Sequence, residues 1–77
     1  MGLSGSQLAA LRDFAHEAAE STGKRPGWAR WGFGGDAPWG KNDIDTLLSM
    51  GLLTMEEEWM DNWLQPTEAG WEALSHA

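Results

Sequence analysis

The sequence predicts a mainly α-helical domain with a small β-hairpin, which is an α+β fold. Three segments carry apolar residues at three- and four-residue spacing, and Gly and Pro residues separate them, as is typical of short helices joined by turns. Residues 52–65, between the second and third of these segments, have turn-like residues near their centre and supply the predicted hairpin. The length, 77 residues, is that of a single domain. The chain has no Val and one Ile, so its six Trp, with Leu and Met, are expected to fill the core.

The first helix is predicted over residues 6–22. Leu8 and Leu11 begin an apolar stripe that small Ala residues continue, and Ser4 or Ser6 can cap its start. Gly23 is expected to end the helix, with Pro26 as a stop beyond it.

Residues 24–41 are rich in Gly and Trp and are predicted to form an ordered loop. A plain linker needs no Trp, so we expect aromatic rings to hold this loop against the core. The rings concerned are Trp28, Trp31, Phe33 and Trp39. A short helical turn through residues 28–31 is the local alternative.

A second helix is predicted over residues 42–50. Asn42 or Asp43 is expected to cap it, and Ile44 begins its apolar face. Gly51 fits the left-handed position after the helix, and Leu52 fits the apolar position that follows.

Residues 52–65 allow two structures. A hairpin with its turn near residues 60–62 is one, and a short helix started by Thr54 and closed by Glu57 is the other. We favour the hairpin because this segment follows a Gly-Leu-Leu exit. A last helix is predicted over residues 67–75, with Thr67 as its cap and Trp71 and Leu74 on its apolar face.

A family resemblance rests on two stretches, IDTLLSMGLLT at residues 44–54 and LQPTEAGWEAL at residues 64–74. Together they resemble the second half of a winged helix-turn-helix domain of the MarR or PadR type, over about 31 of the 77 residues. The resemblance implies that residues 42–50 stand where a recognition helix would, and residues 52–65 where the wing would. Gln65 and Pro66 lengthen the step into the last helix beyond the family's tightest pattern.

The charge pattern departs from a DNA-reading version of that family. Residues 1–41 carry five basic and four acidic side chains, a charge of +1, whereas residues 42–77 carry eight acids and no Lys or Arg, a charge of −8; the sum is the net charge of −7. A DNA reader needs cations near phosphates and Arg, Lys, Asn or Gln at base edges. We therefore predict a degenerate winged-helix-like domain that has lost its DNA face.

The functional prediction is an acidic protein-binding module, an adaptor or inhibitor, that covers a basic surface of a nucleic-acid-binding partner by mimicking nucleic acid. An origin in a phage or other mobile element fits its small size and composition. The predicted acidic contact face consists of Asp43, Asp45, Glu56, Glu57, Glu58 and Asp61. The predicted aromatic and basic contacts are Arg30, Trp39 and Trp59.

Two alternatives stay open. One is a DNA-binding regulator that uses the basic loop 24–41, with nucleic acid otherwise not expected as a partner. The other is an oligomerising domain, such as a homodimer. We expect Trp28, Trp31, Trp63 and Trp71 to be mostly buried, and Trp39 and Trp59 to be partly exposed.

Enzymatic activity, a metal site and a cofactor are not expected. The chain has no Cys, only two His, and no motif for a phosphate loop or a nucleophile elbow. No signal peptide or membrane-spanning run is visible, so the expected location is the cytoplasm.

Overall fold

A computed structural model of the chain describes residues 2–31 and 37–76. It contains three helices and a three-stranded antiparallel sheet, which confirms the α+β class. In chain order the elements are α1 (Gly5–Glu20), β1 (Ala29–Arg30), α2 (Lys41–Ser49), β2 (Leu53–Glu58), β3 (Asp61–Pro66) and α3 (Glu68–Ser75). None of the helices in these two described segments is long and apolar enough to cross a membrane.

Helix α1 starts at a capping box built by Ser4. The backbone N–H of Gln7 donates to Ser4 Oγ at 3.2 Å, and the Ser4 N–H donates to Gln7 Oε1 at 3.0 Å, so both free donors are satisfied. The helix ends at Glu20, before the predicted end at residue 22, and its C-cap Ser21 is extended, so Gly23 is not the residue that stops it. The left-handed glycine of the following turn is Gly27, with a φ of 85°.

The loop predicted over residues 24–41 contains a short strand, and the helical turn considered at 28–31 is wrong. Ala29 pairs with Leu64 and Arg30 with Trp63 in antiparallel register, and the Trp31 N–H donates to the Asn62 carbonyl at 2.8 Å. The pairing of β1 with β3 satisfies backbone groups that an isolated loop would leave open. Phe33 lies outside the described residues.

Helix α2 starts one residue earlier than predicted, with Gly40 as its N-cap in place of Asn42 or Asp43. Asp43 still serves the cap, because its Oδ2 accepts from the Gly40 N–H at 3.0 Å. The end of α2 is as predicted: Gly51 has a φ of 75° and the Leu52 N–H donates to the Leu47 carbonyl at 2.9 Å. This is a Schellman motif.

Residues 53–66 form the predicted hairpin, and the helical alternative is wrong. Strand β2 pairs with β3 from Leu53–Pro66 at one end to Glu58–Asp61 at the other, which leaves a two-residue loop of Trp59 and Met60. Strand β3 is central in the order β1-β3-β2. The core lies between the sheet and the helices, and its largest fully buried side chains are Phe14, Leu11, Ile44, Leu47 and Leu64.

Helix α3 is capped by Thr67, as predicted. The Gly70 N–H donates to Thr67 Oγ1 at 3.1 Å, and that hydroxyl donates to the Gly51 carbonyl at 2.6 Å, which links α3 to the end of α2. The prediction that Trp71 is buried is wrong, since it is 46% exposed. Helix α3 instead turns Gly70 toward the Leu52 carbonyl, so close that a Cβ at this position would overlap it.

Candidate protein-interaction surface

The hairpin separates buried from exposed side chains along its length. Leu53, Leu64 and Pro66 lie at the end next to α3 and are buried, because alternate residues of each strand face the helices. Toward the turn, β2 becomes EEE, and all three Glu are exposed. Helical packing therefore covers one end of the hairpin, and acidic side chains surround the other.

Arg25 neutralises part of this acidic end. Its Nη2 lies 3.2 Å from Glu56 Oε1 and its Nη1 lies 3.9 Å from Glu58 Oε2. Strand alternation puts these two Glu on the same face, where one guanidinium can reach both. The guanidinium also lies over the Trp28 ring, 4.5 Å from its centroid, as a cation–π pair. One cation of the basic loop, Arg25, is therefore already paired with acids of the same chain.

The two acids predicted at the start of α2 also have partners within the chain. Asp43 Oδ1 accepts a hydrogen bond from Ser6 Oγ at 3.0 Å, which ties α2 to the first turn of α1. The Lys41 ammonium pairs with Asp45 across one helical turn at 2.9 Å. Asp43 is only partly exposed, and both of its carboxylate oxygens accept hydrogen bonds within the chain, from Ser6 and from the Gly40 N–H.

Glu57 differs from these acids. It faces the opposite side of β2 from Glu56 and Glu58, opposite Asn62, and it is exposed. No cation in the described segments lies within ion-pair distance of it. Asp61, which pairs with Glu58 across the ladder, is partly covered. Glu57 is accordingly the acid of the hairpin that is most available to an outside cation.

The loop residues Trp59 and Met60, together called the hairpin tip below, are almost fully exposed. Trp59 is 98% exposed and Met60 is 94% exposed. Trp59 has a φ of 61°, a left-handed conformation in which a bulky residue is an outlier. The partial exposure predicted for Trp59 is thus confirmed and exceeded.

The other two predicted aromatic and basic contacts lie in different surroundings. Trp39 is half-buried, with its ring 5.2 Å from that of Phe14 and its Nε1 donating to Asp13 Oδ2 at 2.6 Å. It therefore packs on the core and does not stand on an open surface. Arg30 is exposed on β1, and within the described part of the chain it makes no ion pair.

The other three Trp residues predicted to be mostly buried, apart from Trp71, follow that prediction. Trp63 is buried at 6% exposure, and its Nε1 has no hydrogen-bond partner among the described residues. Trp28 and Trp31 are not fully buried, but most of each side chain is covered, as predicted. The site residues are thus not gathered in one place: the three Glu and Trp59 share the hairpin, whereas Asp43, Asp45 and Trp39 do not.

Two features were missed from the sequence. The sequence predicts a turn near residues 60–62, whereas the loop consists of Trp59 and Met60, and Met60 is not among the predicted contact residues. An apolar groove of about 520 Å³ also lies between the first turn of α1 and the ends of α2 and α3, lined by Leu3, Leu8, Met50, Leu52 and Ala73 among others. Its residues come from distant parts of the chain, and no local signal marks it.

The described residues contain no group of three or more His, Asp or Glu side chains placed to hold a metal ion. Comparison with protein-family models, with curated proteins and with solved structures finds no match to this chain.

Proposed function

We propose that the chain is a non-enzymatic protein-binding module, an adaptor or inhibitor, that contacts a partner's basic surface through its hairpin. The observation that carries the proposal is the composition of the free end of the hairpin. Glu57 is exposed and unpaired within the described residues, and a nearly fully exposed Trp59 lies two positions away. Acidic side chains steer a cationic partner, and a Trp supplies contact area.

The winged-helix resemblance fits this proposal. In the family that the sequence resembles, a recognition helix leads into a wing and then into a Thr-capped helix, and α2, β2, β3 and α3 follow one another in that order. In this chain the element at the recognition position carries Asp43 and Asp45 near its start, with one cation, Lys41, that pairs with Asp45, and the wing carries three Glu. A duplex presents phosphates to both elements, so the acids repel it.

The alternative of a DNA-binding regulator gains less support. The loop it would use has Arg25 committed to Glu56 and Glu58, which leaves Lys24 and Arg30 as the described loop cations without an ion pair. Fluorescence polarisation with a mixed-sequence duplex at low salt decides between the two functions. Binding at or below about 10⁻⁴ M, the range of non-specific DNA binding, would favour the regulator.

A charge reversal tests the protein-binding proposal. The partner is isolated by affinity capture from the source organism and purified, and Glu57→Lys is compared with Glu72→Lys, an exposed acid on α3. We expect Glu57→Lys to lower the association rate and weaken its salt dependence, because steering acts before contact. Equal effects of the two reversals would remove the hairpin from the interface.

A further inference from the structure

We propose that the hairpin tip, Trp59 with Met60, inserts into an apolar pocket on the partner protein, and that cationic side chains rim this pocket. The inference rests on the proposed function, since it assumes that the hairpin contacts a protein. It adds two statements to that function. One names the residues that supply the binding affinity, and the other describes the shape and charge of the partner's site.

The exposure of the tip is the first support. A Trp buries on the order of 150–250 Å² when it enters an apolar environment, and at 98% exposure nearly all of that area is still open. Met60 adds a flexible thioether side chain at 94% exposure, a type suited to filling irregular pockets. Neither side chain packs on this chain's core, so their apolar area is free for another molecule.

The backbone of the tip is the second support. Two-residue hairpin loops favour Gly, Asn or Asp where φ is positive, and this loop has Trp59 there at 61°. The antiparallel ladder holds the loop in this conformation up to the Glu58–Asp61 pair. A strained residue that a scaffold holds in place is a feature of ligand contacts. The ordered loop also reduces the entropy lost on binding.

The charges around the tip specify the rim of the pocket. Glu56, Glu57, Glu58 and Asp61 contribute −4 and Lys24 and Arg25 contribute +2, so the local charge is −2. Lys24 lines a shallow concave surface next to the tip together with Glu58 and Asp61. A pocket with Lys or Arg at its edge matches this surface, whereas nucleic acid and anionic lipid are repelled by it.

A second copy of this chain is a poorer match for the tip. The apolar groove beside α1 and α3 is large enough to receive a Trp, but none of its described lining residues is Lys or Arg. Each copy also carries a charge of −7, so two copies repel one another. The occupant that fits both the apolar tip and its acidic surroundings is therefore a different protein with a cationic rim.

Site-specific photo-crosslinking locates the contact. A benzophenone amino acid replaces Met60 in one variant and Trp71, a half-exposed aromatic on α3, in the other, and both are irradiated in cells of the source organism. We expect a protein adduct at position 60 and little at position 71. An adduct only with lipid, only with a second copy of the chain, or none at position 60 would overturn the proposal.

Capture alone is not sufficient, so the purified partner is titrated with variants. We expect Trp59→Ala to weaken binding at least tenfold, Met60→Ala to weaken it several-fold, and Trp71→Ala to change it less than twofold, since a few buried anchors dominate an interface. Trp59→Phe should keep much of the affinity. Equal affinities for Trp59→Ala and Trp71→Ala would overturn the proposal, and urea unfolding of each variant confirms that it is folded.

The two proposals fail in different ways. If binding depends on Glu57 and not on Trp59, the acidic hairpin remains the contact and only the inserted tip is wrong. If no partner is captured and neither residue affects any interaction, the protein-binding function itself is wrong.

Discussion

The two ends of the hairpin belong to the same pair of strands but differ in whether their apolar side chains are buried. At the base, Leu53, Leu64 and Pro66 are buried on the same face of the two strands, as the alternation of side chains along a strand places them. At the tip, Trp59 and Met60 are exposed, in a loop where smaller polar residues are usual. Packing explains the residues of the base. Nothing in residues 2–31 and 37–76 explains those of the tip, so we look for their contribution in contacts with another molecule.

The largest expected contrast is in stability. Leu64→Ala removes a fully buried side chain from the central strand and should lower the free energy of unfolding by about 2–5 kcal/mol. Trp59→Ala should change it by less than about 0.5 kcal/mol, because an exposed side chain loses little packing. Urea unfolding followed by circular dichroism measures both. A large loss for Trp59→Ala would mean that the tip belongs to the fold.

A second contrast concerns Gly70 of α3, which packs closely against Leu52 and Pro66 at the base of the hairpin. Helix propensity alone favours Ala over Gly by about 1 kcal/mol. Gly70→Ala should nevertheless lower stability by about 1–3 kcal/mol, because the new Cβ would overlap the Leu52 carbonyl and contact Pro66. Gly5→Ala is the control, since a Cβ there meets nothing within 4 Å. Thermal unfolding compares the two, and a stabilised Gly70→Ala protein would contradict the packing of α3 described above.

A matched pair of substitutions tests the strained backbone of the tip. Gly51→Ala puts a side chain on a left-handed residue and should cost about 1–2 kcal/mol. Trp59→Gly removes the strain of a left-handed residue but raises the conformational entropy of the unfolded chain. The net free energy of unfolding should stay unchanged or rise by up to about 1 kcal/mol. The midpoint of urea unfolding gives the sign of each change. A clearly destabilised Trp59→Gly variant would show that the Trp side chain stabilises the loop.

The smallest effect is expected at the ion pairs beside the tip. Arg25→Gln breaks contacts with Glu56 and Glu58, both more than half exposed, and should cost less than about 1 kcal/mol. It removes one positive charge, however, so it should raise the association rate with a cationic partner and steepen its salt dependence. Lys41→Gln, which breaks the distant Asp45 pair, is the control. A larger rate change for Lys41→Gln would place the contact on α2.

Local capping chemistry accounts for most of the fold that could be predicted. Gly51 and Thr67 act within a few residues of themselves and lie at the helix ends where they were predicted, and Ser4 is one of the two caps predicted for the first helix. Long-range contacts account for the errors. A two-residue strand such as Ala29–Arg30 exists only because β3 lies beside it, and the rotation of α3 that exposes Trp71 follows from the approach of Gly70 to the Leu52 carbonyl.

The sequence predicts which charged and aromatic residues the candidate site contains. It does not predict which of them remain free of partners within the chain. The acids were visible as charges in the sequence, yet the sequence does not show that Asp43 would bond to Ser6 or that Arg25 would pair with two Glu. Trp59 was recognised as exposed because charged residues precede it. Met60 falls within the turn predicted near residues 60–62, but the sequence does not show that it lies beside Trp59 in a two-residue loop.

The central claim is that the acids of the hairpin guide the partner and that its tip holds it. The most direct test is a stopped-flow salt series on the complex with the wild-type chain, Trp59→Ala and Glu57→Lys. We expect Trp59→Ala to raise the dissociation rate at least tenfold with an unchanged salt dependence of association, and Glu57→Lys to slow association and flatten that dependence while dissociation changes little. A Trp59→Ala complex that dissociates at the wild-type rate would contradict the claim.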